Sequence, residues 1–468
     1  MCFLSYRLER IWFCRERYLL HDVWGMAYNA WGKITKAQHQ IAMMASSQKI
    51  INQEDFFMKK CFVFLFSCFM LAAFSGCNAQ DIPANQTDYG EVNTSTELTI
   101  AVLHADGFLE AAIQQFEAMY DGRYTVTIVQ TGDFTSYSQI INTALMSGSG
   151  EDIIMASQLA WQRLADAGRL VDLNDKIDFP AGEFYQNILD AYLYNGGRYV
   201  VPLGFNINAF RLGDGVTAAI HPSRFALEDV IALAQAYPEI ELIHSPMGMN
   251  ASILAYRIFE LYFDEFIDLP NRTAHVDNEK FINLLEDIQS IAGQLTSAMW
   301  GAAQPAIIET ILHNIVMNVE GIEDYTGFNI MTNASGQGLV SARNHMAINA
   351  NSPNQALAAR FLQFLLSYEM QSSPEMWATP VNKQAAATNS LAMLESQIAM
   401  GYAPEGVSFV TNLAVFNELA DRLTIAGTSD PFIGDFVRAE LTRFFDGEVT
   451  SVQAAGNLQA RLTTYLNE

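Results

Sequence analysis

The side chains of this chain that could do chemistry are suited to holding a molecule rather than breaking one. Six histidines follow residue 77 (His104, His221, His244, His275, His313 and His345), and none pair at the i, i+4 spacing that sets two imidazoles on one helix face for zinc. There is no Gly-x-Ser-x-Gly nucleophile turn and no Gly-x-x-x-x-Gly-Lys phosphate loop. All five cysteines (Cys2, Cys14, Cys61, Cys68 and Cys77) stand at or before residue 77. The part that follows therefore has no thiol nucleophile, no thiolate metal site and no internal disulfide. Acidic pairs such as Asp264-Glu265 are too common here to mark a glycosidase. What remains is a set of polar and aromatic groups just after apolar runs: Asp106, Tyr137, Ser157 and Gln158. A carboxylate accepts from hydroxyls, an amide or hydroxyl does either, and a phenol can stack or donate. Each has a structural alternative. Asp106 suits a helix N-terminus, Tyr137 a helix core face, and Ser157 a helix cap.

The elements that must position these residues are legible from apolar periodicity. Leu98 to Leu103 reads as a strand and Phe108 to Tyr120 as a helix, with Phe108, Ala112, Ile113, Phe116 and Tyr120 on one face. Tyr124 to Val129 alternates as a strand. A second helix from near Ser136 carries Ile140, Ile141, Leu145 and Met146, and Ser147-Gly148-Ser149-Gly150 ends it. Asp152 to Met155 reads as a buried parallel strand. This β-α-β-α-β order predicts an α/β sheet with helices on its faces, whose ligands bind at the carboxyl ends of the strands. The loops His104–Gly107, Thr131–Phe134 and Ala156–Gln158 should then border a site. No repeat of 20–50 residues is visible. The rest is mostly helical. Ala356 to Tyr368 is apolar nearly all round, and Val452 to Tyr465 carries one apolar stripe.

Composition narrows the partners. Residues 1–76 hold 9 of the 26 basic and 5 of the 51 acidic residues, which leaves 17 basic and 46 acidic residues and a net charge of −29 for the remainder. Such a surface repels nucleic acid and anionic lipid. Half the residues are hydrophobic, as in a folded body. Upstream, Met58-Lys59-Lys60 opens an apolar run from Cys61 to Phe74 that closes on Ser75-Gly76-Cys77. Charge, length and small-residue ending make a secretion signal, and the run is short of the about 20 residues of a membrane span. Its ending resembles the lipobox of bacterial lipoproteins. That resemblance implies a diacylglycerol on Cys77, which becomes the new N-terminus, so that the protein is tethered by lipid. Residues 1–57 are read as an upstream segment that precedes the true start at Met58, 58–76 as the signal peptide, and 77–96 as a flexible tether.

Five segments, in order, resemble the carbohydrate-type extracellular solute-binding lipoproteins of ABC importers, the maltodextrin-binding-protein-like family. They are Glu151-Asp152-Ile153-Ile154 with Ala165 to Leu173; Gly197 to Leu203; Ala347 to Asn354 with Ala358 to Leu365; Pro380-Val381-Asn382-Lys383; and the ending Tyr465 to Glu468. The resemblance implies an α/β, two-lobed periplasmic-binding-protein-like clamp with an interlobe hinge and a helix-rich C-terminal part. Lobe one would be 97–204 plus 339–390, and lobe two 205–338 plus 391–468. It implies a monomer that does no chemistry, uses no cofactor or metal, and delivers a small-molecule solute, a sugar or oligosaccharide, to ABC permease subunits at the extracytoplasmic face of the cell membrane. A peptide, polyamine or anion is the alternative cargo, and an exported glycan hydrolase or a ligand-free surface lipoprotein the alternative roles. The chain departs from the family where an aromatic often follows the third strand, because Ala156 stands there. Further candidates follow from the resemblance and the loops: Phe205 and Asn206 after the hinge strand, Trp300 as a replacement stacking platform, Tyr325 and Phe328 near the second crossing, and Arg343 as a cation for an anionic ligand or a structural ion pair.

Overall fold

The structure is a computed structural model that describes residues 96–212, 224–239, 242–245, 248–296, 307–312, 327–401, 408–428 and 430–468. Cys77, the signal segment 58–76, residues 1–57, the tether except residue 96, Trp300 and Tyr325 lie outside the described residues.

The opening alternation forms as its periodicity requires. β1 (Glu97–Val102), α1 (Gly107–Met119), β2 (Thr125–Gln130), α2 (Phe134–Met146) and β3 (Ile153–Met155) follow in order. β1 pairs in parallel with both β2 and β3, placing Leu98 opposite Val126 and Ile100 opposite Ile153. Leu98, Ile100, Ala101 and Val102 are all buried, as expected of a parallel strand covered on both faces. Asp106 and Asp133 start the two helices by accepting from Leu109 N and Ser136 N, each at 2.9 Å.

The chain continues through α3 (Trp161–Asp166), α4 (Gln186–Asp190), β4 (Val201–Leu212), α5 (Leu227–Ala236), β5 (Ile243–His244), α6 (Ala251–Leu261), α7 (Phe263–Phe266), β6 (Ile267–Asp268), β7 (Thr273–Ala274) and α8 (Glu279–Ile291). Next come β8 (Leu295–Thr296), β9 (Ile307–Leu312), β10 (Phe328–Ile330), β11 (Gly338–Leu339), β12 (Ser341–Ile348), α9 (Gln355–Leu365), α10 (Tyr368–Gln371) and β13 (Thr379–Pro380). It ends with α11 (Lys383–Ala399), α12 (Phe409–Asp421), β14 (Leu423–Ile425), α13 (Pro431–Phe445) and α14 (Ser451–Asn467). The helix expected over 356–368 runs as α9 to Leu365, and Ser367 then starts the short α10 by accepting from Met370 N at 3.3 Å. No helix among the described residues is long and apolar enough to cross a membrane.

β4 organises the rest. Val201 to Asn206 pairs antiparallel with β12 (Ser341 opposite Asn206, His345 opposite Pro202), and β13 sets Thr379 opposite Phe205. Ile207 to Leu212 instead pairs with β9, and Ala209 to Arg211 with β10. One strand of 12 residues, about 40 Å at ~3.3 Å per residue, thus belongs to two sheet regions at once. The full order is β2-β1-β3-β12-β4-β9-β5-β8.

Two apolar cores flank this strand. The first gathers β1 to β3, Phe108, Phe116, Trp161, Ile207 and Ala209 of β4, Met346 to Ile348 of β12, and Phe361 of α9. The second gathers Phe210 and Leu212 of β4 with α5, α6, α8, α13 and α14. α12 sides with the first core, although it lies in the 391–468 stretch expected with the second lobe. Its Phe416 ring lies 6.1 Å from that of Phe205, and Asn417 Oδ1 accepts from the Tyr185 hydroxyl at 2.7 Å. The chain passes to the second core only between Leu423 and Ile433.

Candidate functional site

The carboxyl ends of β1 and β3 meet the start of β12 at one edge of the first sheet, where β4 departs toward the second core. Beyond Met155, the last residue of β3 paired with β12, side chains take over from the backbone ladder. Ser157 Oγ accepts from His345 N at 2.9 Å, and Asp106 Oδ2 accepts from Asn344 Nδ2 at 3.1 Å. Asn344 holds φ at 52°, a left-handed conformation that asparagine tolerates better than most residues. Two consecutive residues of β12 are therefore fixed by the loops that follow β1 and β3. The His345 ring packs on Tyr192 with centroids 4.5 Å apart, and neither ring nitrogen has a hydrogen-bond partner. Burial pushes its pKa down to about 4, so the ring is neutral at pH 7.

The structure distributes the sequence candidates between this edge and the core behind it. Asp106, Ser157 and Gln158 are half-buried at the edge. Arg343 is exposed on β12 opposite Gly204 of β4. Asn206 is buried at the point where β4 changes partners. Tyr137 is a core residue: it is fully buried, and its hydroxyl donates to the Met155 carbonyl at 2.7 Å and lies 3.2 Å from that of Ala101. Burial also pushes the Tyr137 pKa upward. Phe205 is likewise buried, with the Tyr185 ring 5.0 Å away. Phe328 is buried on β10 opposite Arg211, further along β4.

Sequence reasoning missed the loop Ser372 to Ala378. Trp377 in it is 83% exposed, two residues before Thr379, which stands opposite Phe205. Glu375 reaches back to the start of α1: its Oε2 lies 2.8 Å from where a Cβ on Gly107 would stand. Met376 packs as closely on Gly204 of β4. The loop thus spans the edge from the β1–α1 turn to the point where β4 crosses. The available signal was an indole in a Ser-Ser-Pro-Glu-Met-Trp stretch directly ahead of the Pro380 to Lys383 segment.

Two cavities lie elsewhere, each lined from both cores. One of about 320 Å³ is bordered by Trp161, Tyr194, Phe263, Asp268 and Ile425, and one of about 430 Å³ by Arg163, Arg272, Asp430 and Tyr465. Neither is lined by Asp106, Ser157, Asn206, Arg343 or Trp377. The carboxyl edge is the better site on topological grounds, since ligands of α/β sheets bind at strand carboxyl ends. The second cavity marks a contact between the cores. The Arg163 guanidinium lies 4.6 Å from the Tyr465 ring centre, and the Tyr465 hydroxyl donates to Asp430 Oδ2 at 2.9 Å. Among the described residues no group of three His, Cys, Asp or Glu side chains is placed to hold a metal ion.

Comparison with known proteins fits this geometry. Residues 101–210 match the sequence model of the family described as bacterial extracellular solute-binding protein. No curated protein sequence matches the chain. Among solved structures, the sugar-binding protein MalE of Xanthomonas citri aligns with 80% of this chain and 98% of its own at 14% identity and a TM-score of 0.57. The GacH receptor of Streptomyces glaucescens, solved free and with acarbose, aligns with 80% of this chain and all of its own at 15% identity and a TM-score of 0.52. The cyclic alpha-maltosyl-1,6-maltose binding protein of Arthrobacter globiformis aligns with 79% of this chain and 98% of its own at 17% identity and a TM-score of 0.52. Residues 101–210 thus resemble the bacterial extracellular solute-binding proteins, and the chain shares the two-lobed α/β fold of these solved structures.

Proposed function

We propose that this protein is an extracytoplasmic solute-binding receptor, anchored by lipid on Cys77, that captures a sugar or oligosaccharide between its two cores and delivers it to an ABC importer. The observation that carries this reading is the crossing strand β4. It leaves the first sheet at its carboxyl edge, so the polar loops of that edge border the gap between the cores. Asp106, Ser157, Gln158, Asn206 and Arg343 are the candidate contacts there. The arrangement offers hydrogen-bond donors and acceptors but no nucleophile activated by a base, which suits capture without chemistry. The sugar-binding relatives of the same fold support the choice of cargo.

A thermal-shift scan of residues 78–468 tests the reading, with mono- and oligosaccharides set against amino acids, peptides and polyamines. A ligand at 1,000 times its Kd stabilises the native state by about 4 kcal/mol, a shift of several degrees. A shift confined to one sugar class supports the receptor. A shift by another class alone keeps the clamp and discards the sugar. Intact-mass analysis of membrane-extracted protein tests the anchor: a diacylglycerol on an N-terminal Cys77 is expected, and a chain that retains residues 58–76 refutes it.

A further inference from the structure

We infer that Glu260 is a pH-sensitive latch on the crossing between the two cores: neutral, its side chain packs against Gly427 and Thr428, and ionised, it draws water in and frees that segment to move. This goes beyond the receptor reading and rests on its two-lobed clamp.

Placement comes first. Two crossings of the chain meet beside α6. β11 pairs with β14, setting Leu339 opposite Ile425. Val340 and Leu423 belong to the first core, whereas Leu339 and Ile425 pack against the second. Gly427 follows two residues later, with φ at 62°. Glu260 closes on it from the last turn of α6: its Oε1 lies 3.2 Å, and its Cβ 3.4 Å, from where a Cβ on Gly427 would stand. Leu339 Cδ1 lies 2.9 Å from the same point. The side chain therefore touches the place where the cores are joined. The cavity of about 320 Å³ between the cores is bordered by Thr424 to Gly427, so the segment has room to shift.

Charge comes second. The two cations near this carboxyl are committed elsewhere: Arg257 pairs with Glu309, and Arg438 pairs with Asp435 at 2.9 Å. Arg438 also lies over the Tyr256 ring, 4.7 Å from its centre. The Tyr256 hydroxyl and the Thr428 N–H face the carboxyl, and Tyr192 faces it from the first core. β11 and residues 423–428 bring no charged side chain. Half-buried and without a cation of its own, the carboxylate is poorly compensated, and burial pushes its pKa up to about 7. An arrangement in which water reaches the carboxylate returns it toward its ordinary 4.5. The arrangement that binds the proton more tightly gains in acid. The packed crossing therefore dominates at low pH and loses ground as pH rises from 4.5 toward 7.

The test is a measurement of the distance between the cores in residues 78–468, without ligand. This stretch contains no cysteine, so nitroxides attach only at Met119→Cys on α1 and Val452→Cys on α14, both exposed and on helices of opposite cores. Electron–electron double resonance should show one narrow distance at pH 5 and a broadened or second distance at pH 8. Glu260→Gln has the shape of the neutral acid, so it folds, and it should keep the pH 5 distribution at both values. Hydrogen exchange of the 423–433 segment at pH 8 supplies a second measurement without labels: it should be about tenfold or more slower in Glu260→Gln than in wild type. A wild-type distribution that is the same at pH 5 and pH 8 overturns the inference. So does a Glu260→Gln variant that retains the wild-type change or exchanges at the wild-type rate. Neither result touches the receptor reading, whose own test is the response to sugars at one pH.

Discussion

Asp106 holds Asn344: one oxygen of its carboxylate caps α1 through Leu109 N, and the other accepts from the asparagine that carries a left-handed φ within β12. A single side chain thus joins the first β–α turn to a strand that returns some 240 residues later. Asp106→Ala should cost about 1–2 kcal/mol through the lost cap, read from chemical denaturation. Asn344→Gly, which accepts the positive φ without strain, should cost less. A double-mutant cycle should return a positive coupling between the two residues. Strict additivity would show that the contact is incidental.

Asp152, a residue of the first family-like segment, is a structural clamp rather than a ligand contact. Its Oδ2 accepts from Thr99 N at 2.8 Å and Thr99 Oγ1 at 2.9 Å, and its Oδ1 from Ser352 Oγ at 2.6 Å and Asn354 Nδ2 at 3.2 Å. It is 6% exposed. Replacement by alanine strips four donors of their acceptor in a buried site and should cost about 3 kcal/mol or more, with Asp152→Asn intermediate. Denaturant midpoints check this. Ligand affinity of the folded fraction should stay unchanged.

Buried His345 and half-buried Glu260 give the stability opposing pH dependences. Burial lowers His345 from 6.5 to about 4 in the folded state, so the unfolded chain binds the extra proton and stability falls as pH drops from 6.5 toward 4. Burial raises Glu260 from 4.5 to about 7, so the folded state keeps the proton and stability falls as pH climbs from 4.5 toward 7. Tyr256, Arg438 and Arg257 face that carboxyl and pull the other way, more weakly than burial. Each limb is worth at most roughly 3 kcal/mol, and between pH 4.5 and 6.5 they offset each other. Glu260→Gln should therefore expose the His345 limb, with melting temperature falling on acidification below pH 6.5. His345→Phe should expose the opposite slope. Identical profiles for wild type and both variants would contradict these assignments.

The Arg163–Tyr465 contact ties α3, on the first core, to α14, on the second. A guanidinium over a phenol ring at a partly exposed site contributes about 0.5–1 kcal/mol. A cycle of Arg163→Ala and Tyr465→Leu should show a coupling of that size. No coupling would mean that the two cores are held together elsewhere.

How much of this was legible beforehand follows from the reach of each signal. β1 to β3 and their helices were readable to within about two residues, because burial on one face or both writes a local period into the residues themselves. Asp152 and the Ala347 to Asn354 segment were recognisable as family-like. That they hold one another together was not, because Ser352 and Asn354 meet Asp152 only after β12 has inserted beside β3. Tyr137 fits the α2 stripe as well as it fits a ligand, and only the carbonyls of Ala101 and Met155 decide for the core. Trp377 lies in a loop with no period at all. Its loop is set at the edge by the approach of Glu375 to Gly107 and of Met376 to Gly204, both distant in sequence.

The position of β12 has a consequence for how the chain comes to fold. It lies between β3 and β4, so a nascent chain that has reached Leu212 holds both flanking strands and lacks the one that joins them. The first core waits further for Phe416 on α12, and the second for α14 at the very end. Pairings this distant in sequence are slow to form, since loop closure is paid for before any contact rewards it. The fold is therefore expected to close only once α12 and α14 are available to fill the two cores.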